Sequence, residues 1–203
     1  MEQERGRFIT LEGVDGAGKS TQIPVIAEAI QQKGKNLVMT REPGGTELGE
    51  KIRSLLLNDP MSVKCEMLLM FASREQNLSE VIRPAVESGK WVLCDRFTDA
   101  SYAYQCAGRM QPKEYVDTLV RFVHPDIEPD LTIIFDLNVE EASKRLGNNA
   151  DRFESEEISF HKRVREEYLR LARENPNRYF VVDASQPIEV ISDLLRRKIA
   201  SWD

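Results

Sequence analysis

Five short apolar runs punctuate the chain: Phe8 to Leu11, Leu37 to Thr40, Trp91 to Cys94, Leu131 to Leu137 and Tyr179 to Val182. Each is continuous rather than alternating, as expected of strands covered on both faces. The stretches between them repeat their apolar positions at helical spacing. They predict helices over Lys19 to Lys33, closed by Gly34, over Glu47 to Leu57, and over Cys65 to Glu87, with Pro84 as a kink or early stop. Further helices are expected at Ser101 to Cys106, Lys113 to Val123, Glu140 to Leu146, Glu157 to Glu174 and Ile188 to Ala200. Strands alternating with helices in this way give a three-layer α/β fold, a five-stranded parallel sheet flanked by helices. No linker, repeat or low-complexity segment interrupts the alternation, and 203 residues suffice for one domain with a sizeable core.

The junction of the first strand and first helix carries chemistry. Gly13-Val14-Asp15-Gly16-Ala17-Gly18-Lys19-Ser20 is a complete G-x-x-x-x-G-K-S/T phosphate-binding loop in the right place, after a strand and before a helix. Its glycines let consecutive backbone N–H groups converge on phosphate oxygens, where side chains would clash or forbid the backbone angles. Lys19 can reach the β- and γ-phosphates, the Ser20 hydroxyl can hold Mg²⁺, and the helix points its positive end at the anion. The ligand is expected to be ATP or GTP.

Composition narrows the partners. The net charge of −6 argues against a nucleic-acid polymer, since duplex binding neutralises many phosphates with a basic face. The charged N-terminus has no apolar h-region, and no stretch approaches the roughly 18 apolar residues of a membrane span, so a cytoplasmic protein with no membrane partner is expected. Cys65, Cys94 and Cys106 have neither zinc-site spacing nor the regularity of a disulfide framework. His124 and His161 lack metal-ligand partners at useful spacing, and no zinc site is expected.

Three clusters supply a second site. Asp95-Arg96-Phe97 closes the third apolar run, at the edge where open parallel sheets present ligand-binding groups. An Asp there can hold Mg²⁺ through water and the Arg can fork onto an acceptor phosphate, although the two also read as a structural ion pair. Thr40-Arg41-Glu42-Pro43-Gly44-Gly45-Thr46 ends the second run, with Arg53 two turns into the next helix; Pro-Gly-Gly also suits a plain turn. On the long helix Phe71, Arg74, Asn77 and Leu78 share a face, where a ring and a guanidinium could stack on a base and clamp a phosphate, though a Phe on a helix, taken alone, more often belongs to the core. A guanine-reading Asn-Lys-x-Asp segment is absent, because Asn148-Asn149-Ala150-Asp151 lacks the lysine. The clusters point to small-molecule phosphorylation rather than a GTPase switch.

In order and spacing these segments resemble the bacterial thymidylate kinases, P-loop enzymes that transfer the γ-phosphoryl group of ATP to dTMP. The resemblance runs through FITLEGVDGAGKST, TREPGGT, LLMFASREQ, LCDRFTDASYAYQ, PDLTIIFDL, DRFE and VVDASQP, essentially the whole chain. It implies a single P-loop kinase domain over residues 1–203 with a short lid at about 145–156, Mg²⁺ held by Ser20 and Asp95, and a homodimer built through helices. It further implies that Asp15 helps position the acceptor's sugar or the metal ion, that Arg96 bridges donor and acceptor phosphates, and that Glu42 and Arg53 lie on the dTMP side. Arg74 and Gln105 would read the thymine edge, with Ser101 and Tyr104 close by, and Ala184 to Pro187 would lie near adenine. An amide offers both donor and acceptor to a pyrimidine O4/N3–H pair, and a guanidinium donates to a carbonyl oxygen.

Two departures from the family pattern bear on the chemistry. The ring that stacks on thymine in many relatives lies four residues before the equivalent of Arg74, where this chain has Met70; Phe71, the nearest aromatic, is expected to take over, with the Met70 thioether as the other candidate. The segment Lys144 to Arg152 carries Gly-Asn-Asn-Ala where relatives place lid arginines, and the phosphate loop has no arginine either. Arg152, helped by Arg145, is therefore expected to fold over ATP and neutralise the transferring group, while the plain reading is a surface loop with Arg152 paired to Asp151 or Glu154. The expected reaction is ATP + dTMP to ADP + dTDP, by direct in-line transfer, in dTTP synthesis. A kinase for dUMP, CMP or a deoxynucleoside, or a silent nucleotide-binding regulator, are the competing readings.

Overall fold

The structure is a computed structural model that describes residues 4–145 and 151–202. Strands β1 (Phe8–Glu12), β2 (Leu37–Arg41), β3 (Trp91–Asp95), β4 (Leu131–Asp136) and β5 (Tyr179–Asp183) form one parallel sheet in the order β2-β3-β1-β4-β5. Every residue of β1 is buried, as a central strand requires, while the edge strands β2 and β5 leave positions open. Alternate side chains divide between two cores. Ile9, Leu11, Ile133 and Phe135 pack with Ile26, Ile30 and Leu195, whereas Phe8, Val92 and Cys94 pack with Leu78, Ile82 and Val86. Helices therefore cover both faces. Four strands extend one residue beyond their apolar run, to Glu12, Arg41, Asp95 and Asp183, so the C-terminal edge of the sheet carries the charge.

The helices are α1 (Lys19–Gln32), α2 (Glu47–Asn58), α3 (Val63–Asn77), α4 (Arg83–Glu87), α5 (Thr98–Ser101), α6 (Lys113–Val123), α7 (Val139–Arg145), α8 (Ile158–Glu174) and α9 (Ile188–Ser201). The expected helix from Cys65 to Glu87 is interrupted: a π-helical turn at Leu78–Ile82 joins α3 to α4 just before Pro84, which has no N–H to donate to the preceding turn. It also starts earlier, because the Ser62 hydroxyl accepts from Cys65 N at 3.3 Å and caps α3. The helix expected at Ser101 begins at Thr98 instead and widens into a second π-helical turn, Tyr102–Gly108. Leu146, the expected end of α7, and the segment Gly147 to Ala150 lie outside the described residues. Among the described residues no helix is long and apolar enough to cross a membrane, and the three cysteines are unpaired.

Candidate active site

The chain leaves β1 through Gly13 at φ 137°, where a Cβ would stand 2.6 Å from the Phe135 carbonyl oxygen, so only glycine fits. Gly18 (φ 90°) precedes α1 with no side-chain cap, leaving the first N–H groups of the helix open to an anion. The Lys19 ammonium is buried under the loop and donates to the carbonyl oxygens of Gly13 (3.0 Å) and Val14 (3.2 Å). Burial, reinforced by the nearby Arg96, lowers its pKa.

Next to β1, β3 ends on Asp95, and the following Arg96 adopts φ 73°, a left-handed conformation that a non-glycine residue holds only when its surroundings enforce it. Two contacts do so. Arg96 N donates to Leu11 O at 2.9 Å, and the Glu12 carboxylate accepts Phe97 N at 2.7 Å. The other Glu12 oxygen accepts the Tyr168 hydroxyl at 2.7 Å, and Tyr168 in turn receives Arg96 Nη1 at 3.2 Å. Burial, with Asp99 adding to it, raises the Glu12 pKa to about 8. The Arg96 guanidinium thus directed meets Asp15 Oδ1 at 2.6 Å, while the Tyr104 hydroxyl donates to Asp15 Oδ2 at 3.0 Å. Burial works against the Asp15 charge, but Arg96 and Lys19 outweigh it and hold the carboxyl below its ordinary range. Asp95 Oδ1 is buried with no hydrogen-bond partner among the described residues.

Two adjoining clefts open over this edge. The larger runs along the phosphate loop from Gly16 to Gln22 and is also lined by Arg145, Ala184 and Pro187. The smaller is walled by Met70, Arg74, Phe97, Ser101, Tyr104 and Gln105. Asp15, Glu42, Arg53 and Arg96 line both.

This arrangement agrees with the sequence comparisons. The thymidylate kinase family profile matches residues 11–195. The chain is 51% identical over 189 residues to the thymidylate kinase of Methylobacillus flagellatus, covering 92% of this chain and 93% of that one. It is 50% identical over 202 residues to that of Paraburkholderia xenovorans, covering 97% and 98%. The crystal structure of thymidylate kinase from Ehrlichia chaffeensis superposes with a TM-score of 0.76 at 31% identity over 96% of both chains.

The chain belongs to the thymidylate kinase family. It is an enzyme that phosphorylates dTMP to dTDP in dTTP synthesis, on the P-loop fold expected.

Most of the site residues expected from the sequence converge on the two clefts. Glu42 is buried against Arg74, whose Nε donates to it at 2.7 Å; burial raises the Glu42 pKa, and Arg74 opposes the rise. Arg74 also donates to Ser101 Oγ and to Phe97 O, both at 3.1 Å. Arg53 donates to Pro43 O at 3.0 Å between the clefts. Ser20 is exposed in the larger cleft.

Two expectations are corrected. Phe71 does not face a cleft: it is 2% exposed, packs with Met67 and Val116, and stacks on His124. One helical step of 100° turns it toward α6 and leaves Met70 on the cavity wall; its ring supports the Arg74 guanidinium at 4.5 Å. Arg152 does not lie in the larger cleft either. Its Nε donates to Leu56 O in the last turn of α2 at 2.8 Å and its Nη1 to Glu66 at 2.6 Å. A carboxylate that is 1% exposed requires a cation, and Glu66 takes this one. Arg145 does line the larger cleft, with its guanidinium on Ala184 O at 3.3 Å.

Glu12 and Glu66 escaped the sequence reading. Glu12 left a signal, an acid continuing an apolar run straight into the phosphate loop; Glu66 looks like any solvent-facing helical residue.

Proposed function

We propose that the γ-phosphoryl group of ATP passes directly to dTMP at the junction of the two clefts, donor in the larger and acceptor in the smaller. The observation that carries this reading is the shared lining: Asp15, Glu42, Arg53 and Arg96 face both spaces, so a group between the two nucleotides meets them. Phosphoryl transfer is catalysed mainly by positioning and charge. Backbone N–H groups of Gly16 to Ser20 would hold the donor phosphates, with Lys19 released from its carbonyls onto the β- and γ-oxygens. Arg96, aimed by Glu12 and Tyr168, would span the transferring group and the acceptor phosphate, and Arg53 would hold the acceptor side. The acceptor is already an ionised phosphate, so no general base is needed.

Mg²⁺ fits the residues present. Asp95, whose buried Oδ1 has no partner among the described residues, and Ser20 line the same cleft, and no cluster of three acidic, His or Cys ligands exists among the described residues, as suits an ion coordinated mostly by phosphate and water. When bound it supplies charge neutralisation at the β- and γ-oxygens.

The lid mechanism changes accordingly. Arg152 is engaged by Glu66, residues 146–150 contain no basic side chain, and Arg145 sits at the rim beside Ala184, suited to stacking on adenine. The transferring charge then falls to Lys19 and Arg96. Exposed Leu68 on α3 and Tyr115 and Phe122 on α6 support the homodimer reading.

The test is single-turnover transfer from ATP to dTMP. Arg96→Ala should lose on the order of 100-fold or more, as for a lost charge-stabilising donor, while Arg152→Ala should keep transfer within about tenfold. An Arg152→Ala loss as large as that of Arg96→Ala would return the finger role to Arg152.

A further inference from the structure

Glu66 is not among the residues lining the acceptor cavity, yet it holds the end of one that is. Its Oε1 accepts Gln105 Nε2 at 2.8 Å. Its Oε2 accepts a hydrogen bond from Arg152 Nη1 at 2.6 Å and pairs by charge with the buried Arg109 Nη2 at 3.3 Å. Arg109 is itself anchored by Glu156 and lies over the Phe160 ring, so three segments of the chain meet on this one carboxylate.

The consequence for Gln105 is one of polarity. An amide presents donors on one side and an acceptor on the other, and either end can face a ligand unless a neighbour decides. A carboxylate gripped by two arginines only accepts, so the NH₂ group of Gln105 must turn to it. The Oε1 of Gln105 accepts no hydrogen bond among the described residues, and Gln105 lines the cavity, so this oxygen is the end of the amide left for a ligand there. Arg74 adds donors: three of its N–H groups serve Glu42, Ser101 and Phe97 O, which leaves two of the five a guanidinium carries. The wall therefore offers one fixed acceptor beside donors. That pattern complements a pyrimidine with N3–H and a 4-oxo group, and it opposes cytosine, whose N3 accepts and whose 4-amino group donates.

We propose that Glu66 is a specificity-determining positioning residue: by locking the Gln105 amide with its carbonyl oxygen toward the acceptor cavity, and by being locked in turn by Arg152 and Arg109, it makes the enzyme reject cytosine nucleotides. Arg152, from the segment expected to form the lid, thereby acts on acceptor choice. The inference rests on the reading of the smaller cleft as the acceptor-base site.

The experiment compares kcat/KM for dTMP, dUMP and dCMP at saturating ATP. In Glu66→Gln the side chain can present either an oxygen or an amide to Gln105, freeing the latter to turn. The dTMP-to-dCMP ratio should fall at least tenfold, while the dTMP-to-dUMP ratio, which involves the same edge, should stay within about twofold. A charge-conserving swap, Glu66→Gln with Gln105→Glu, again leaves an acceptor facing the cavity and should restore the preference over dCMP; it also serves if the single variant does not fold. A Glu66→Gln enzyme that keeps its dTMP-to-dCMP ratio, or a folded swap that has lost it, overturns the proposal. Gln105→Leu separates the two readings: if it leaves the dTMP KM unchanged, the acceptor-site assignment fails, whereas if it raises that KM and Glu66→Gln leaves the ratio intact, only the role of Glu66 fails.

Discussion

The two clefts share four side chains and handle charge in opposite ways. In the phosphate cleft Lys19 rests on backbone carbonyls and Arg145 on Ala184 O, partners both can leave, and the Asp95 Oδ1 atom has no partner among the described residues, while the shared Arg96 is held by Asp15. In the base cavity and directly behind it the charges are committed to each other, Arg74 to Glu42 in the wall and Arg152 to Glu66 behind it, with the carboxylates almost fully enclosed. The first arrangement suits a charged ligand that replaces weak contacts with strong ones during transfer. The second suits recognition, because a buried ion pair fixes the direction of every neighbouring donor and acceptor and is costly to break.

The comparison is broken most severely at Lys19. Lys19→Ala should leave the fold intact and cut turnover by about 100-fold or more, the effect of a few kcal/mol removed from charge stabilisation. A folded Lys19→Ala protein with turnover near wild type would take the phosphate loop out of the mechanism.

The base cavity should respond in stability as well as in kinetics. Arg74→Ala strands the buried Glu42 carboxylate with only the Asn77 amide at 3.3 Å, and should cost about 3 to 5 kcal/mol of folding stability. Denaturant unfolding reads this directly. A loss below about 1 kcal/mol would mean that the pair is not the fixed wall described here.

A smaller effect distinguishes the clamp behind Arg96. The Glu12 pKa is raised from the ordinary 4.5 to about 8, so the folded state binds a proton there that the unfolded state has released. Its contribution to stability is full below about pH 4.5 and is lost as pH rises through about 8. The histidines run the other way: burial lowers His124 to about 4, so its contribution is already constant above its unfolded value near 6.5. Melting temperatures between pH 6.5 and 8.5 should therefore fall in the wild type more steeply than in Glu12→Gln. Parallel slopes in the two proteins would show that Glu12 keeps its proton, or lacks it, in both states.

The legibility of the sequence divides along the same line. All five strands were legible, because continuous apolar runs have no other comfortable place than a covered sheet. The phosphate loop was too, because eight consecutive residues build it and its chemistry is mostly backbone. Of the base cavity the residues alone offered the helix face around Arg74, and the family resemblance supplied Ser101, Tyr104 and Gln105. Its wall of Glu42, Arg74 and Gln105, backed by Glu66 and Arg152, draws on four separate segments of the chain, and the partner each charge takes is decided by packing. Phe71 and Met70 differ by a single 100° step, too fine for a face assigned from periodicity, and Arg152 was drawn from the phosphates by a glutamate that nothing in the helix pattern marks as buried. The π-helical turns were equally hidden, since a 3.6-residue period cannot announce a wider one.

The division of labour between the clefts is tested most directly by measuring separate Michaelis constants for ATP and dTMP on Gln105→Leu. Leucine removes the acceptor that faces the base and touches nothing in the phosphate cleft, so the dTMP constant should rise about 5- to 150-fold, the equivalent of 1 to 3 kcal/mol for an unpaired base edge, with the ATP constant within about twofold of wild type. Equal increases for both substrates would contradict the account.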